Sequence, residues 1–592
     1  MSDADSAHLT PSTADATAPP AWIAAAALAV LLPTLLAYNP PPSATFLNQA
    51  AAYIGWGVLI LLYADAPGVV LARPWRAPGS ILLAALALLA LAAAAGPLWA
   101  GLPWPLALSA VGTLAATALV AATGIALARA GRAVAAFHAL AVALLAAGVI
   151  GALIGFVQVF LPQWTDGQLL AAISNGRAAG NLRQPNHLSS LLLWSLIALV
   201  WLSERRQIAR AWALVLGMLL LAGIVLTGSR TGALGLLLLA AWGALDRKVS
   251  RATRLALVAA PVVYALLWIG LGAWAHLTQH DFGGDTQLTK GDLSSSRFAI
   301  WSNTLTLIAR HPWLGVGWGE FNFAWSLTPF PDRPLAFFDH THNLPLQFAV
   351  ELGVPLALLV LALLGWALLG AWRAGARCED AADRLTLRAA FVMVAMMAVH
   401  SQFEYPLWYA YFLLPTAFAF GLCLGGDGAD RAAVRDPASA WPLRAAAVAL
   451  TLGGLAAIVD YRRVVVIYAP GASAPPLAER IADGKRSWLF GHHADYAEVT
   501  TEEVVTEPDQ AFARVSHYLL DTRLMMAWAK ALAADGQADA ARHLAARLRE
   551  FRNPQSQPFF EVCDLLEDEV DAAAPFQCQA ASAPLAFEAF RH

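Results

Sequence analysis

Apolar runs of roughly twenty residues, each long enough to cross a bilayer, recur from Trp22 to about Val465. Such a chain has few folds open to it. Backbone polar groups in lipid must be satisfied within the protein, which leaves helices or closed barrels. The runs here are continuous rather than alternating, so they read as helices. Charge agrees: 13% of residues are charged, against about 25% in a soluble domain. Candidate spans lie near 21–38, 45–63, 78–97, 104–127, 135–161, 187–202, 211–227, 231–245, 255–274, 344–372, 387–402, 406–425 and 443–464. The expected fold is an all-α polytopic membrane protein of about thirteen spans. Tryptophans at 56, 99, 104, 164 and 408 flank the runs, as interfacial belts do.

Basic residues sort between alternate connections. Arg73, Arg76, Arg129 and Arg132, the clusters 205–210 and 247–254, Arg373 to Arg388, and Arg431 with Arg435 fall on one side. The short loops of the other side hold little beyond Arg177, Arg183 and Arg230. The positive-inside rule makes the first side cytoplasmic. The N-terminus is then inside, while the long loop 274–343 and the tail 467–592 are outside. Residues 1–20, rich in Ser, Thr, Ala and Pro, read as a disordered tail, and 21–466 as the membrane domain. The C-terminal segment turns polar and helical, with Ala533-Ala534-Asp535-Gly536-Gln537 as a stop and restart between two apolar-periodic stretches. That pattern fits a helical hairpin of the tetratricopeptide kind, a docking or scaffold module. Cys563 and Cys578 can pair if this segment is extracytoplasmic. A net charge of −3 gives no basic field for nucleic acid.

Polar residues gather on the outer face, where keeping them beside lipid is costly unless they act. Thr227-Gly228-Ser229-Arg230-Thr231-Gly232 is a turn between two apolar runs with no room for a loop. An arginine pinned there either loses hydration and calls for an anion, its guanidinium fork matching phosphate oxygens, or snorkels to the rim. Arg297, followed by Phe298, Ile300 and Trp301, suits an amphipathic helix on the membrane surface with its guanidinium turned to a second phosphate. Gln184, Asn186 and His187, beside Arg183, could recognise sugar hydroxyls. Their bland reading is a helix entry with Pro185 in the first turn. Asp339-His340-Thr341-His342-Asn343 opens the next span. Its histidines are two apart, which disfavours a two-histidine zinc face on a helix. One imidazole acting as general base is more economical. A helix cap, or a metal site completed by Asp339, are competing readings of the same residues. Glu404-Tyr405-Pro406 adds a carboxylate and a phenol on this side. Two arginines, a histidine and amide or phenol groups at a lipid rim suit a lipid pyrophosphate bearing a sugar.

At these residues the chain resembles the bacterial O-antigen ligase/polymerase superfamily, and most closely its protein O-glycosylating, PglL-like branch. The resemblance rests on Gly228 to Gly232, Arg297 with Trp301, His311-Pro312-Trp313-Leu314-Gly315-Val316-Gly317 and His342-Asn343. Gly180 to His187 and the outer helical tail carry the branch. It covers roughly 160–425 by motif and the rest only in character. The resemblance implies a type C glycosyltransferase-like membrane fold in the bacterial inner membrane, with its active site facing the periplasm. The implied reaction moves a preassembled oligosaccharide from undecaprenyl pyrophosphate to Ser or Thr of a periplasmic protein such as pilin. It makes His342, Arg230 and Arg297 catalytic and Gln184 and Tyr405 substrate-binding, with Arg183, Asn186, His187, His340 and Asn343 alongside. Inversion is expected, with no metal and no cofactor.

Sibling enzymes that attach O-antigen to lipid A core, or polymerise it, would use the same histidine and arginines. A flippase for lipid-linked sugars is the rival without chemistry, but its polar groups should run through the membrane depth.

Overall fold

A computed structural model describes residues 17–69, 79–173, 176–278, 283, 292–331, 333–335, 337–426, 440–501, 508–566, 574–581 and 584–591. Most of the expected N-terminal tail, and the basic pairs Arg73/Arg76 and Arg431/Arg435, lie outside these residues. Among the described residues every regular element is helical.

The helices run α1 (Pro20–Leu35), α2 (Phe46–Ala64), α3 (Gly79–Trp99), α4 (Trp104–Arg129), α5 (Ala133–Phe160), α6 (Pro185–Glu204), α7 (Arg210–Thr227) and α8 (Arg230–Leu245). They continue with α9 (Arg251–Thr278), α10 (Asp292–Arg310), α11 (Phe321–Leu327), α12 (Leu344–Leu352), α13 (Val354–Arg377), α14 (Ala381–His400), α15 (Ala410–Gly425) and α16 (Trp441–Tyr468). Among the described residues nine are long and apolar enough to cross a membrane, namely α2 to α7, α9, α13 and α16. The apolar helices α1, α8 and α15 are shorter. The last of the expected positions is filled by α14, which carries Asp383, Arg384 and Arg388 in its first half.

Small residues set how closely these helices approach, as is usual where lipid removes the hydrophobic drive between them. On α15, a Cβ at Gly421 would lie 2.1 Å from the Ala121 carbonyl oxygen of α4, and one at Gly425 would lie 2.5 Å from that of Ile125. The two backbones therefore touch across a Gly-x-x-x-Gly seam.

The expected span 344–372 is two helices. It breaks at Gly353, whose φ is +76° and whose Cβ would sit 2.2 Å from the Trp313 carbonyl oxygen. The chain before α11 is threaded into this break. Val316 N donates to Val350 O at 2.8 Å, Gly317 N to Glu351 O at 3.1 Å, and Val354 N to Pro312 O at 2.8 Å. Both halves are apolar, so hydropathy could not see the interruption.

The described residues of the long loop are likewise helical in part, and they share one core with the tail. Ile300 and Leu307 of α10 and Phe321 to Leu327 of α11 pack with Leu524, Trp528, Leu544 and Phe551. The buried face of α10 thus joins a core that also contains the tail, while Phe298 on the same helix is exposed. The tail contains α17 (Leu477–Gly484), α18 (Gly491–Thr501), α19 (Pro508–Val515), α20 (Thr522–Ala534), α21 (Ala538–Phe551) and α22 (Gln557–Leu566). Its α20–α21 pair is a hairpin turned at Gly536, φ +81°, with Gln537 N bonded to Leu532 O at 2.8 Å. Buried groups stitch tail to loop. His517 Nδ1 lies 2.7 Å from a carboxylate oxygen of Glu320, and His543 Nε2 bonds Leu327 O at 2.8 Å. Burial pushes the Glu320 carboxyl above its ordinary range, although His517 and Arg591 work against it. Cys563 and Cys578 are joined by a disulfide.

Candidate functional site

The connections that meet at the loop and tail end of the bundle carry the polar cluster. Each presents its residue through a local device. Gln184 caps α6, its side-chain oxygen accepting from Asn186 N and His187 N, and Pro185 opens the first turn. This leaves Asn186 projecting from the helix end. Ser229 caps α8 by accepting from Gly232 N at 3.0 Å, and it donates to Asn186 Oδ1 at 2.7 Å. Arg230 follows as the first residue of α8 and is exposed. The neighbouring Arg177 donates through Nε to Thr227 O at 2.8 Å, closing the end of α7. Burial lowers the Arg177 guanidinium from its ordinary value and the Arg230 charge adds to that, against the pull of Glu404. Two guanidinium groups and one carboxylate therefore share a field at this turn.

His342 is held in the left-handed region at φ +55°, which side chains other than glycine adopt only when their surroundings impose it. Its flanks impose it. The buried Thr341 donates its N–H to Gln347 Oε1 at 2.8 Å, and its carbonyl accepts from Trp301 Nε1 at 2.9 Å. Asn343 caps α12 through Leu346 N at 3.0 Å and donates to Gln402 O at 3.1 Å. The ring is thereby aimed at the turn between α14 and α15, where Glu404 waits.

Glu404 is the hub. Its Oε1 accepts from Asn186 Nδ2 at 2.8 Å and from the Arg297 guanidinium. Its Oε2 lies 2.9 Å from His342 Nδ1. Burial raises the Glu404 carboxyl, but the His342 hydrogen bond and charge, together with Arg297, outweigh it and hold the carboxyl below its ordinary range. An ionised carboxylate at Nδ1 makes that nitrogen the N–H donor and leaves Nε2 with the lone pair, the arrangement of a general base.

The two histidines divide. The His340 ring stacks on Tyr405 with centroids 4.4 Å apart and 13° between planes, and its Nδ1 is 3.1 Å from Asp339 Oδ1. Burial raises the Asp339 carboxyl, but His340 lowers it further, so it ends below the ordinary value. Burial and the Asp339 charge lift the Tyr405 phenol well above its ordinary range, so it is a hydroxyl donor at neutral pH. Among the described residues no group of three or more His, Cys, Asp or Glu is placed to hold a metal.

Of the residues expected from sequence, Asn186, Arg297 and His342 meet directly on Glu404, with Asn343 bracing the turn and His340 and Tyr405 stacked beside His342. Two go elsewhere. Arg183 is exposed and its guanidinium donates to the Ala37 and Ala44 carbonyls, fastening the first loop. His187 is buried, with Nδ1 3.2 Å from the Tyr411 hydroxyl and its ring against Tyr409 and Phe412. Sequence reasoning did not single out Arg177 or Ser229, and saw Glu404 only as an added carboxylate. Its signal was a lone acid between two apolar runs on the outer side.

Beside the cluster lies a cavity of about 600 Å³. Gln402, Trp408, Leu344 and Tyr518 of the tail line it together with leucines such as Leu82 and Leu361.

Three family models match the chain in order. They are a protein glycosylation ligase model over 178–202, an O-antigen ligase model over 215–361, and a virulence factor membrane-bound polymerase, C-terminal, model over 388–558. The chain is 26% identical over 254 residues to a general O-oligosaccharyltransferase of Acinetobacter baylyi, covering 42% of this chain and 43% of the relative. It is 28% identical over 256 residues to a ComP-specific O-oligosaccharyltransferase of the same organism, covering 43% and 45%. The chain thus spans under half the length of these curated relatives.

Proposed function

We propose that this chain, a PglL-like member of the O-antigen ligase superfamily, is a protein O-oligosaccharyltransferase. It moves a preassembled glycan from undecaprenyl pyrophosphate to a Ser or Thr hydroxyl of a periplasmic protein such as pilin. The observation that carries this reading is the convergence of His342, Arg297 and Asn186 on Glu404, with Asn186 also bonded to Ser229, the residue before Arg230.

In the proposed reaction the acceptor Oγ–H gives its proton to His342 Nε2 as the oxygen attacks the anomeric carbon. The bond from that carbon to the pyrophosphate oxygen breaks, and the electron pair leaves on the phosphate. One displacement on the opposite face inverts the carbon. Arg230 and Arg297 stabilise the charge developing on the leaving group, which is usually the largest catalytic term. Guanidinium groups supply what a divalent cation supplies elsewhere, so the reaction is proposed to be metal-independent. The cavity lined by Trp408 and Gln402 is mostly apolar, which suits the lipid part of such a donor. Asn186, Tyr405 and Gln184 are proposed to meet the sugar. The protein would sit in the inner membrane by thirteen spans with this end periplasmic. That orientation is supported by the charge asymmetry of the connections and by the disulfide in the tail. The tail, sharing a core with α10 and α11, would be the periplasmic helical module that receives the acceptor.

The test is intact-mass measurement of a pilin and of total periplasmic protein. The host supplies a lipid-linked glycan, lacks its own ligase, and carries wild type or His342→Ala. A glycan-sized increment seen only with wild type is expected. Unshifted proteins together with glycan-bearing lipopolysaccharide would overturn the protein acceptor in favour of a lipid one.

A further inference from the structure

We propose that Glu404 is a positioning residue that couples donor binding to the strength of the base. A pyrophosphate docking on Arg297 draws the guanidinium charge away from the carboxylate, which then supports the His342 imidazolium more strongly. This rests on the reading of Arg297 and His342 given above.

The geometry contains the two halves of such a coupling. Glu404 divides its oxygens, Oε1 serving Arg297 and Asn186 and Oε2 serving His342. Of the ion pair, Arg297 is the member open to an incoming anion, its side chain 29% exposed against 8% for Glu404. A guanidinium carries five N–H donors in a planar fork, and the Glu404 contact uses one NH₂ arm. A phosphate can therefore take Arg297 from its other edge without displacing the carboxylate. The carboxylate then faces His342 with its charge less compensated. The coupling runs across three separate elements, since Arg297 is on α10, His342 precedes α12 and Glu404 follows α14. Asn186, tied to Ser229 at 2.7 Å, holds Oε1 in place while this happens.

Other charged and titratable groups act on the same pair. His187 and His400 face Glu404 from within the bundle, and Arg177 from the α7 end. Tyr405 and Tyr409 face it at the rim. His342 also feels Asp339, which His340 in turn partners. None of these contacts both Arg297 and His342 in the way Glu404 does. Donor docking on Arg297 is thus proposed to reach His342 through Glu404, in the complex where proton abstraction is needed.

The experiment reads His342 directly. The purified full chain is treated with diethyl pyrocarbonate over pH 5 to 8.5, with and without inorganic pyrophosphate, and modification of the His342 peptide is followed by mass spectrometry. In wild type, pyrophosphate should move the modification midpoint up by about one pH unit, the size an opposite charge at hydrogen-bond range produces. Glu404→Gln keeps an acceptor for Nδ1–H, and its midpoint should start lower and move much less. Glu404→Asp should restore part of the movement. If Glu404→Gln does not fold, Arg297→Gln serves in its place, starting high and responding little. Equal movement in wild type and the variants, or none in wild type, overturns the coupling. Full glycan transfer by His342→Ala would instead overturn the catalytic reading, so the two failures are separable.

Discussion

Asn186 offers a perturbation whose outcome can be worked out before the measurement. Its Nδ2 donates to Glu404 at 2.8 Å while its Oδ1 accepts from Ser229 at 2.7 Å. Asn186→Asp keeps the shape and the Ser229 bond but sets an oxygen against Glu404 where a donor stood. Two charges 2.8 Å apart repel by about 6 kcal/mol at an effective dielectric of about 20. Holding an ordinary carboxyl protonated at pH 7 costs about 4 kcal/mol. Protonation is therefore the cheaper escape, and the pair shares one proton. Arg297 and His342 relieve part of the repulsion, which brings the two figures close and puts loss of that proton near neutral pH. The variant should resemble wild type near pH 6 and fall away as pH rises to 8.5, in an in vitro transfer assay with lipid-linked glycan and a peptide acceptor. Asn186→Ala removes a hydrogen bond to a charged group, worth about 1.5–3 kcal/mol. Its loss of roughly tenfold to a hundredfold should not depend on pH. A constant ratio of Asn186→Asp to wild-type rate across that pH range would show that Asn186 does not contact Glu404 in the working enzyme.

Gly353→Ala should unfold the junction that carries α12. Its Cβ would meet Trp313 O at 2.2 Å in a backbone with φ +76°, so a loss above about 2 kcal/mol is expected. Thermal-shift measurement in detergent checks it, with Gly365→Ala as the unchanged control because nothing lies within 4 Å of its Cβ. Cys563→Ser should free the end of the tail. Closing a chain over 15 residues is worth about 3 kcal/mol in the chain-entropy account, so limited proteolysis after α22 should speed up. Reduction of wild type should reproduce the effect, and equal cleavage rates would mean the crosslink does not hold that segment.

Much of the bundle was legible because lipid enforces it. A run such as 135–161 has no other stable home than a helix, and α5 spans Ala133–Phe160. Local devices were legible for the same kind of reason. Pro185 marks the start of α6, and Gly536 turns the tail hairpin where a helix stop and restart is read from sequence. The break at Gly353 was hidden because its cause is the Trp313 backbone 40 residues earlier, not a local signal. The shared core of loop and tail was hidden because Ile300 or Phe323 could equally have faced lipid. The hub was hidden by distance along the chain, for Glu404 stands 218 residues from Asn186, 107 from Arg297 and 62 from His342.

The separation of His340 from His342 shows what spacing alone could decide. An i,i+2 pair faces apart on a helix but points the same way on extended chain. Here neither case holds, because Thr341 is locked from three sides and the chain reverses at His342 with φ +55°. His340 is left against the Tyr405 ring and Asp339, while His342 is delivered to Glu404. Only the second has a buried carboxylate on one nitrogen that also answers to an arginine. Choosing between them by sequence required the neighbouring Asn343. The physical reason for that neighbour is now visible, since Asn343 caps α12 and bonds Gln402 two residues before Glu404. The asparagine thus ties the histidine's turn to the carboxylate's turn, and the pairing follows from that tie.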